Sequence, residues 1–170
     1  VQQTYKNFEV ILVEDGSTKT CKSVADSFSD TLRVRYYFKE NSGQGFSRNF
    51  GFDKAAGDYL IVFDSDCIVP PHYFDAVNRF LEKQPADAFG GPDKAHTSFS
   101  SLQKAISYSM TSVLTTGGIR GNKKHVGTFH PRSFNMGISR KVYDTTGGYK
   151  ITRMGEDIEF SIRILQSGFK

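Results

Sequence analysis

Apolar residues in this chain come in short runs that end in acids or glycine. Phe8 to Val13 is apolar apart from Glu9 and runs into Glu14-Asp15-Gly16-Ser17, which predicts a buried strand and then a turn. Arg33 to Phe38 predicts a second strand, Tyr59 to Phe63 a third, Ala86 to Gly91 a short fourth, and Phe134 to Ser139 a fifth. Helical spacings lie between them. Val24 and Phe28 give a short face, and Phe46, Phe50 and Ala56 predict a helix ending at Gly57. Pro70-Pro71 opens another helix, with Val77, Phe80 and Leu81 as its stripe. Leu102, Ile106, Val113 and Leu114 predict a helix closing near Gly117-Gly118. Ile158, Ile162 and Leu165 form one face of a terminal helix stopped by Gly168. The Gly- and Lys-rich stretch TTGGIRGNKKHVG, 115–127, reads as a mobile loop. Strands alternating with helices predict an α/β layered domain, with a mostly parallel central sheet flanked by helices.

Composition narrows the class. At 170 residues the chain is one domain by length, and 38% hydrophobic with 14% aromatic residues supports a buried core rather than disorder. No apolar stretch reaches the ~18–20 residues of a membrane span, and the N-terminus lacks a signal-peptide pattern. The opening VQQTYKNFEV has no Met, which fits a piece of a longer protein. A net charge of +4 and a pI near 9.0 suit an anionic substrate or an anionic membrane surface, and equally a solvated Lys-rich surface. No nucleic-acid partner is expected. Cys21 and Cys67 lack metal-type spacing and are expected to be reduced, as in the cytosol.

Candidate chemistry sits where strands end. Ligands of such sheets bind beyond the carboxyl ends of the strands, and two strands here run into acid: Val13 into Glu14-Asp15, and Phe63 into Asp64-Ser65-Asp66. Asp64 and Asp66, two residues apart in an extended segment, face one way. Their hard oxygens suit Mg2+ or Mn2+, ions that keep waters and bridge to phosphates. Several features have plainer readings beside this one. Asp15 alone would be turn chemistry, and Glu156-Asp157 alone would be acids in a helix first turn, where the dipole favours them. Arg48 alone would be a surface cation, and "GQG" at 43–45 a plain loop. Gly147-Gly148-Tyr149 reads as a turn, Cys67 as a small apolar residue, and His125 and His130 as surface or core residues.

Four stretches carry a resemblance beyond composition: VILVEDGST, ENSGQGFSRNFGFDKAAGDYLIVFDSD, NMGISRKVYDTTGGY and GEDIEFSIRILQSGF. In this order they resemble the nucleotide-sugar-binding part of family 2 glycosyltransferases, over roughly Phe8 to Phe169, although 92–130 match no family motif. The resemblance implies a GT-A fold, with 1–170 a single GT-A-like domain truncated at both ends. It implies a metal-dependent, inverting transfer of sugar from a nucleotide-diphosphate sugar, UDP-linked, to a saccharide or lipid-linked acceptor in surface polysaccharide or glycolipid synthesis. Asp15 matches the acid that hydrogen-bonds the base, Arg48 the cation beside the nucleotide and its diphosphate, and Asp64 the acid near the ribose and metal. Asp66 matches the direct ligand of Mn2+ or Mg2+. Asp157 matches the catalytic base, with Glu156 beside it as a supporting or acceptor-contacting acid. The family also implies a cytoplasmic protein, peripheral at the inner face of the cell membrane.

Two departures stand out. The family's opening strand with its Pro-X-Tyr-Asn-type end is missing, and so is the Gln-X-X-Arg-Trp motif of processive polymerases; the chain has no Trp. Two alternatives remain at this stage: a sugar-nucleotide-binding domain that does not catalyse transfer, and a receiver-like signalling module. The second has no use for Asp66 or for Glu156-Asp157.

Overall fold

The computed structural model describes residues 1–116, 130–151 and 154–170. The first apolar run forms strand β1, Val10–Asp15, which pairs in parallel with β2, Val34–Lys39. Their register sets Val10 opposite Val34 and ends with Asp15 opposite Lys39, so an acid and a base leave the ladder side by side. Strand β3, Tyr59–Phe63, β4, Ala88–Gly90, and β5, Asn135–Ser139, make a second ladder in the order β3-β5-β4. Strand β5 is antiparallel to both neighbours, so β3 and β4 run the same way with one reversed strand between them. The reversal is the departure from simple parallel alternation, and no local pattern encodes it.

Seven helices connect these strands among the described residues: α1 Lys22–Asp26, α2 Gln44–Lys54, α3 Tyr73–Lys83, α4 Ser101–Thr111, α5 Val113–Thr116, α6 Arg140–Thr146 and α7 Glu156–Gln166. Helix α2 ties the two ladders together. An added Cβ on Gly51 would touch Val13 and Ile11 of β1, while Phe52 joins Leu60 and Val62 of β3 in the core. Met136, Ile138, Val142, Tyr149, Phe160 and Ile164 complete that core from β5, α6, the turn that follows α6, and α7. Each fully buried side chain of this size contributes roughly 1.5–3 kcal/mol.

Several faces differ from expectation. Phe28 lies beyond α1, and Val24 is exposed while Ala25 turns inward. In α2 the buried positions are Gly45 and Phe52 rather than Phe46, and the helix ends at Lys54. In α7 the predicted stripe Ile158, Ile162 and Leu165 faces outward, and Phe160 and Ile164 point in beside Glu156, Asp157 and Ser161. Helices α4 and α5 replace one predicted helix, broken at Ser112, and Leu102, Ile106 and Leu114 are exposed. A Ser100–Gln103 capping box fixes the start of α4. The short α6 was not anticipated. Cys67 lies on an exposed turn rather than in apolar surroundings, and both cysteines are free thiols. Residues 117–127 of the expected mobile loop, with His125, lie outside the described residues.

Candidate functional site

The site is organised by the N-terminal end of α2. Gly43 has φ +88°, which side-chain-bearing residues rarely adopt, and this turns the chain so that two backbone N–H groups meet Asp15. Ser42 N–H donates to Asp15 Oδ1 at 2.9 Å and Gly43 N–H to Oδ2 at 3.0 Å, while Lys39 Nζ pairs with Oδ1. Burial works to raise the Asp15 pKa, but Lys39 and the Ser42 N–H outweigh it and hold the carboxyl below its ordinary range. Asp15 therefore braces the turn that launches α2. "GQG" is not a plain loop: Gln44 starts the helix and Gly45 is buried in its first turn.

Gln44 and Arg48, four residues apart, share a helix face. Both donate to Oε1 of Glu156, Gln44 Nε2 at 2.7 Å and Arg48 Nη1 at 2.8 Å. Arg48 Nη2 also reaches Asp64 Oδ1 at 3.2 Å, just past the end of β3. Its guanidinium lies 5.4 Å from the Tyr149 ring centroid, a cation–π distance. Glu156 is 4% exposed, so its charge is buried against partners from α2. Burial alone would lower the Arg48 pKa, yet hydrogen bonding to Glu156 and the charges around it raise it. The cation is secure.

Asn49, next along α2, clamps the turn before α7. Its amide donates to Tyr149 O at 2.7 Å and accepts from Tyr149 N–H at 2.8 Å. Gly148 has φ +70°, and a Cβ there would lie 2.2 Å from Asn49 Oδ1, so only glycine fits. Tyr149 itself is buried, and its hydroxyl lies 3.3 Å from Met136 Sδ. The predicted turn at 147–149 is thus bound to the helix that carries Arg48.

Asp157 follows Glu156 in the first turn of α7 and is 8% exposed. Its Oδ1 accepts from Ile158 N–H at 2.9 Å, and Oδ2 lies 3.4 Å from Arg132 Nε. Asp64 and Asp66 stand on the exposed turn after β3, which is closed by Cys67 N–H donating to Asp64 O at 3.1 Å. Partial burial pushes the Cys67 thiol pKa up, the Asp64 backbone contact works against this, and the charges of Asp66, Asp64 and Asp93 add to the rise. Among the described residues no three His, Cys, Asp or Glu side chains group closely enough to hold a metal ion by themselves.

The expected site residues divide accordingly. Arg48, Asp64 and Glu156 are joined directly, and Asp157 is the neighbour of Glu156. Asp15 is connected to them through Ser42, Gly43 and Gln44. Asp66 stands apart on the exposed turn, with the Cys67 thiol 3.9 Å from its Oδ1. Gln44, Asn49 and Arg132 were not anticipated, whereas Tyr149 was expected as part of the 147–149 turn. The four-residue spacing of Gln44 and Arg48 was the one available signal for the first of these.

The chain as a whole has known relatives. The sequence profile of glycosyl transferase family 2 matches residues 1–147. The chain belongs to this family. Among its relatives, the glycosyltransferase GlyG of Streptococcus pneumoniae is 36% identical over 93 residues, covering 54% of this chain and 31% of GlyG. An uncharacterized glycosyltransferase of Haemophilus influenzae is 37% identical over 86 residues, covering 49% of this chain and 32% of that protein. The mannosyltransferase PcManGT of Pyrobaculum calidifontis, solved with GDP-Man and Mn2+, superposes with a TM-score of 0.70 at 16% identity, covering 99% of this chain and 46% of that one. S. aureus TarS 1–349, solved with UDP, superposes with a TM-score of 0.68 at 17% identity, covering 95% and 47%. The chain spans about a third of these two sequence relatives and about half of these structures. This family 2 domain has the GT-A fold, and membership leaves the receiver-like reading without support.

Proposed function

We propose that this family 2 domain forms part of an inverting glycosyltransferase that moves a sugar from a nucleotide-diphosphate sugar, UDP-linked, to a hydroxyl of a saccharide or lipid-linked acceptor. The observation that carries the reading is Arg48, which links Asp64 at the end of β3 to Glu156, the neighbour of Asp157, at the start of α7. A cation held between donor-side and acceptor-side carboxylates is what a reaction with an anionic leaving group requires. The glycosidic C–O bond breaks as the nucleotide diphosphate leaves, and Arg48 lies where that charge grows. The acceptor hydroxyl attacks from the opposite side of the anomeric carbon and passes its proton to Asp157. Glu156, with Oε1 held by Gln44 and Arg48, keeps the first turn of α7 in place rather than taking the proton.

Asp64 and Asp66 fit Mn2+ or Mg2+ as a minority of its ligands: two hard carboxylates on an exposed turn, with diphosphate and water supplying the rest. When bound, such an ion supplies Lewis-acid stabilisation to the leaving diphosphate. Asp15 is proposed to meet the base with the lone pairs that the 42–43 turn leaves available. The neighbours solved with UDP and with GDP-Man and Mn2+ support this donor class.

The domain is proposed to be truncated at both ends. Among the described residues β1 pairs only with β2 and β3 only with β5, edges that a further strand would complete. No helix among the described residues is long and apolar enough to cross a membrane. From the family resemblance the protein is proposed to be cytoplasmic and held peripherally at the inner membrane face, where its net charge of +4 would suit anionic lipid.

A thermal-shift screen of nucleotide sugars with and without Mn2+ tests the donor assignment. At a hundred times Kd the gain is about 2.7 kcal/mol, or roughly 5–10 °C for a domain of this size. The reading predicts that a UDP-sugar with Mn2+ gives the largest rise. No rise with any nucleotide sugar would contradict it.

A further inference from the structure

The segment before β5 is pinned against α7 in a way that no part of the reading above uses. His130 Nδ1 lies 2.8 Å from Ser161 Oγ, a hydrogen bond to a residue one helical turn after Asp157 on the same face. Pro131 is buried, and a Cβ added to Gly90 of β4 would lie only 2.9 Å from Pro131 Cβ. Arg132 O accepts the Asn135 N–H at 3.0 Å, closing the turn into β5. Between these fixed points the Arg132 side chain reaches Asp157, Nε to Oδ2 at 3.4 Å. Glu156, the residue before Asp157 on α7, is held from the other side by Arg48 of α2.

We propose that Arg132 is the positioning residue of Asp157, holding Oδ2 in the orientation from which it takes the acceptor proton. The proposal rests on Asp157 being the base. The Ile158 N–H holds Oδ1 and the Arg132 guanidinium attracts Oδ2, so both ends of the carboxylate are engaged and rotation about its terminal torsion is restrained. At 3.4 Å the pair is loose enough for Oδ2 to keep a lone pair for an incoming hydroxyl. Arg132 keeps 28% of its side chain exposed while its segment stays anchored by His130, Pro131 and the turn into β5. A misplacement of about 1 Å in a reacting group costs on the order of 10²-fold in rate, which sets the expected effect.

The test follows hydrolysis of the nucleotide sugar that best stabilises the protein in the thermal screen, with water as acceptor, in the intact protein. Arg132→Ala is expected to lower kcat about 10–100-fold while donor KM stays within about twofold. Arg132→Lys, which keeps the charge without the planar fork, recovers part of the loss. Adding Arg132→Ala to Asp157→Asn costs nothing further, because one residue acts through the other. Should Arg132→Ala not fold, Ser161→Ala frees His130 without touching Asp157 and is expected to lower kcat in the same sense. Wild-type kcat in the single variants, or losses that add fully in the double variant, would overturn the proposal. Wild-type turnover in Asp157→Asn alone would instead remove the base assignment on which it rests, as would a screen in which no nucleotide sugar binds.

Discussion

Replacing Asp157 by Asn is expected to lower turnover by about 10²–10⁴-fold, the usual contribution of a general base, with donor affinity unchanged. The substitution is nearly isosteric. An Asn Oδ1 can still accept the Ile158 N–H that Asp157 accepts at 2.9 Å, so the first turn of α7 keeps its geometry. What disappears is the negative charge that pairs with Arg132 and the lone pair that takes a proton. Glu156 cannot substitute, because its Oε1 already receives Gln44 and Arg48 and its side chain is buried. The check is steady-state turnover beside a titration of the nucleotide. Turnover near wild type would remove Asp157 from the chemistry, and parallel losses of turnover and affinity would show damage to the fold instead.

Glu156→Ala is expected to be the most destabilising single change at the site. The Arg48 side chain is 12% exposed and that of Glu156 5%, so removal of one partner leaves a buried cation whose remaining ion-pair partner among the described residues is Asp64, with its side chain 45% exposed. Breaking a buried pair from one side costs about 3–5 kcal/mol, and the Gln44 amide loses its acceptor as well. For a domain of this size the loss appears as a fall in Tm of roughly 10 °C. Glu156→Gln, which retains an acceptor, should fall less. Replacing both partners, as in Arg48→Met with Glu156→Leu, should regain much of the stability, since apolar groups can stand in for a buried ion pair. That double variant should remain inactive, because the link between donor side and base is gone. A Tm for Glu156→Ala within a degree or two of wild type would show that the pair does not hold α7 to α2.

The two predictions also mark where sequence reading succeeds and where it fails. Strand β3 is bounded as the apolar run Tyr59–Phe63 indicates, because five buried or half-buried positions followed by acids have no other stable use. Strand β1 fits less closely: it begins at Val10 rather than Phe8 and takes in Glu14 and Asp15, which the pattern assigned to a turn, because pairing with β2 continues to Lys39. Helix faces were less legible. The inward face of α7 carries Glu156, Asp157 and Ser161 beside Phe160 and Ile164, so hydrophobicity points to the wrong side. Those acids are tolerated there because Arg48, 108 residues earlier, and Arg132 supply opposite charge. No local spacing reports such a pairing. Helix α6 was legible but unread: Ser139 caps it by accepting the Val142 N–H at 3.3 Å, and Gly147 ends it. The direction of β5 was not legible, since it depends on a long connection without a recognisable pattern.

The central claim is that acids from distant parts of this chain meet around one metal-bound nucleotide diphosphate, and Asp66 is where that claim is most exposed. Its carboxylate braces no other element among the described residues, so Asp66→Ala should leave the fold intact. Calorimetric titration of UDP into wild type and Asp66→Ala, each with and without Mn2+, is the direct measurement. The account predicts that Mn2+ strengthens UDP binding to wild type and has no effect on the variant; equal strengthening in both would contradict it.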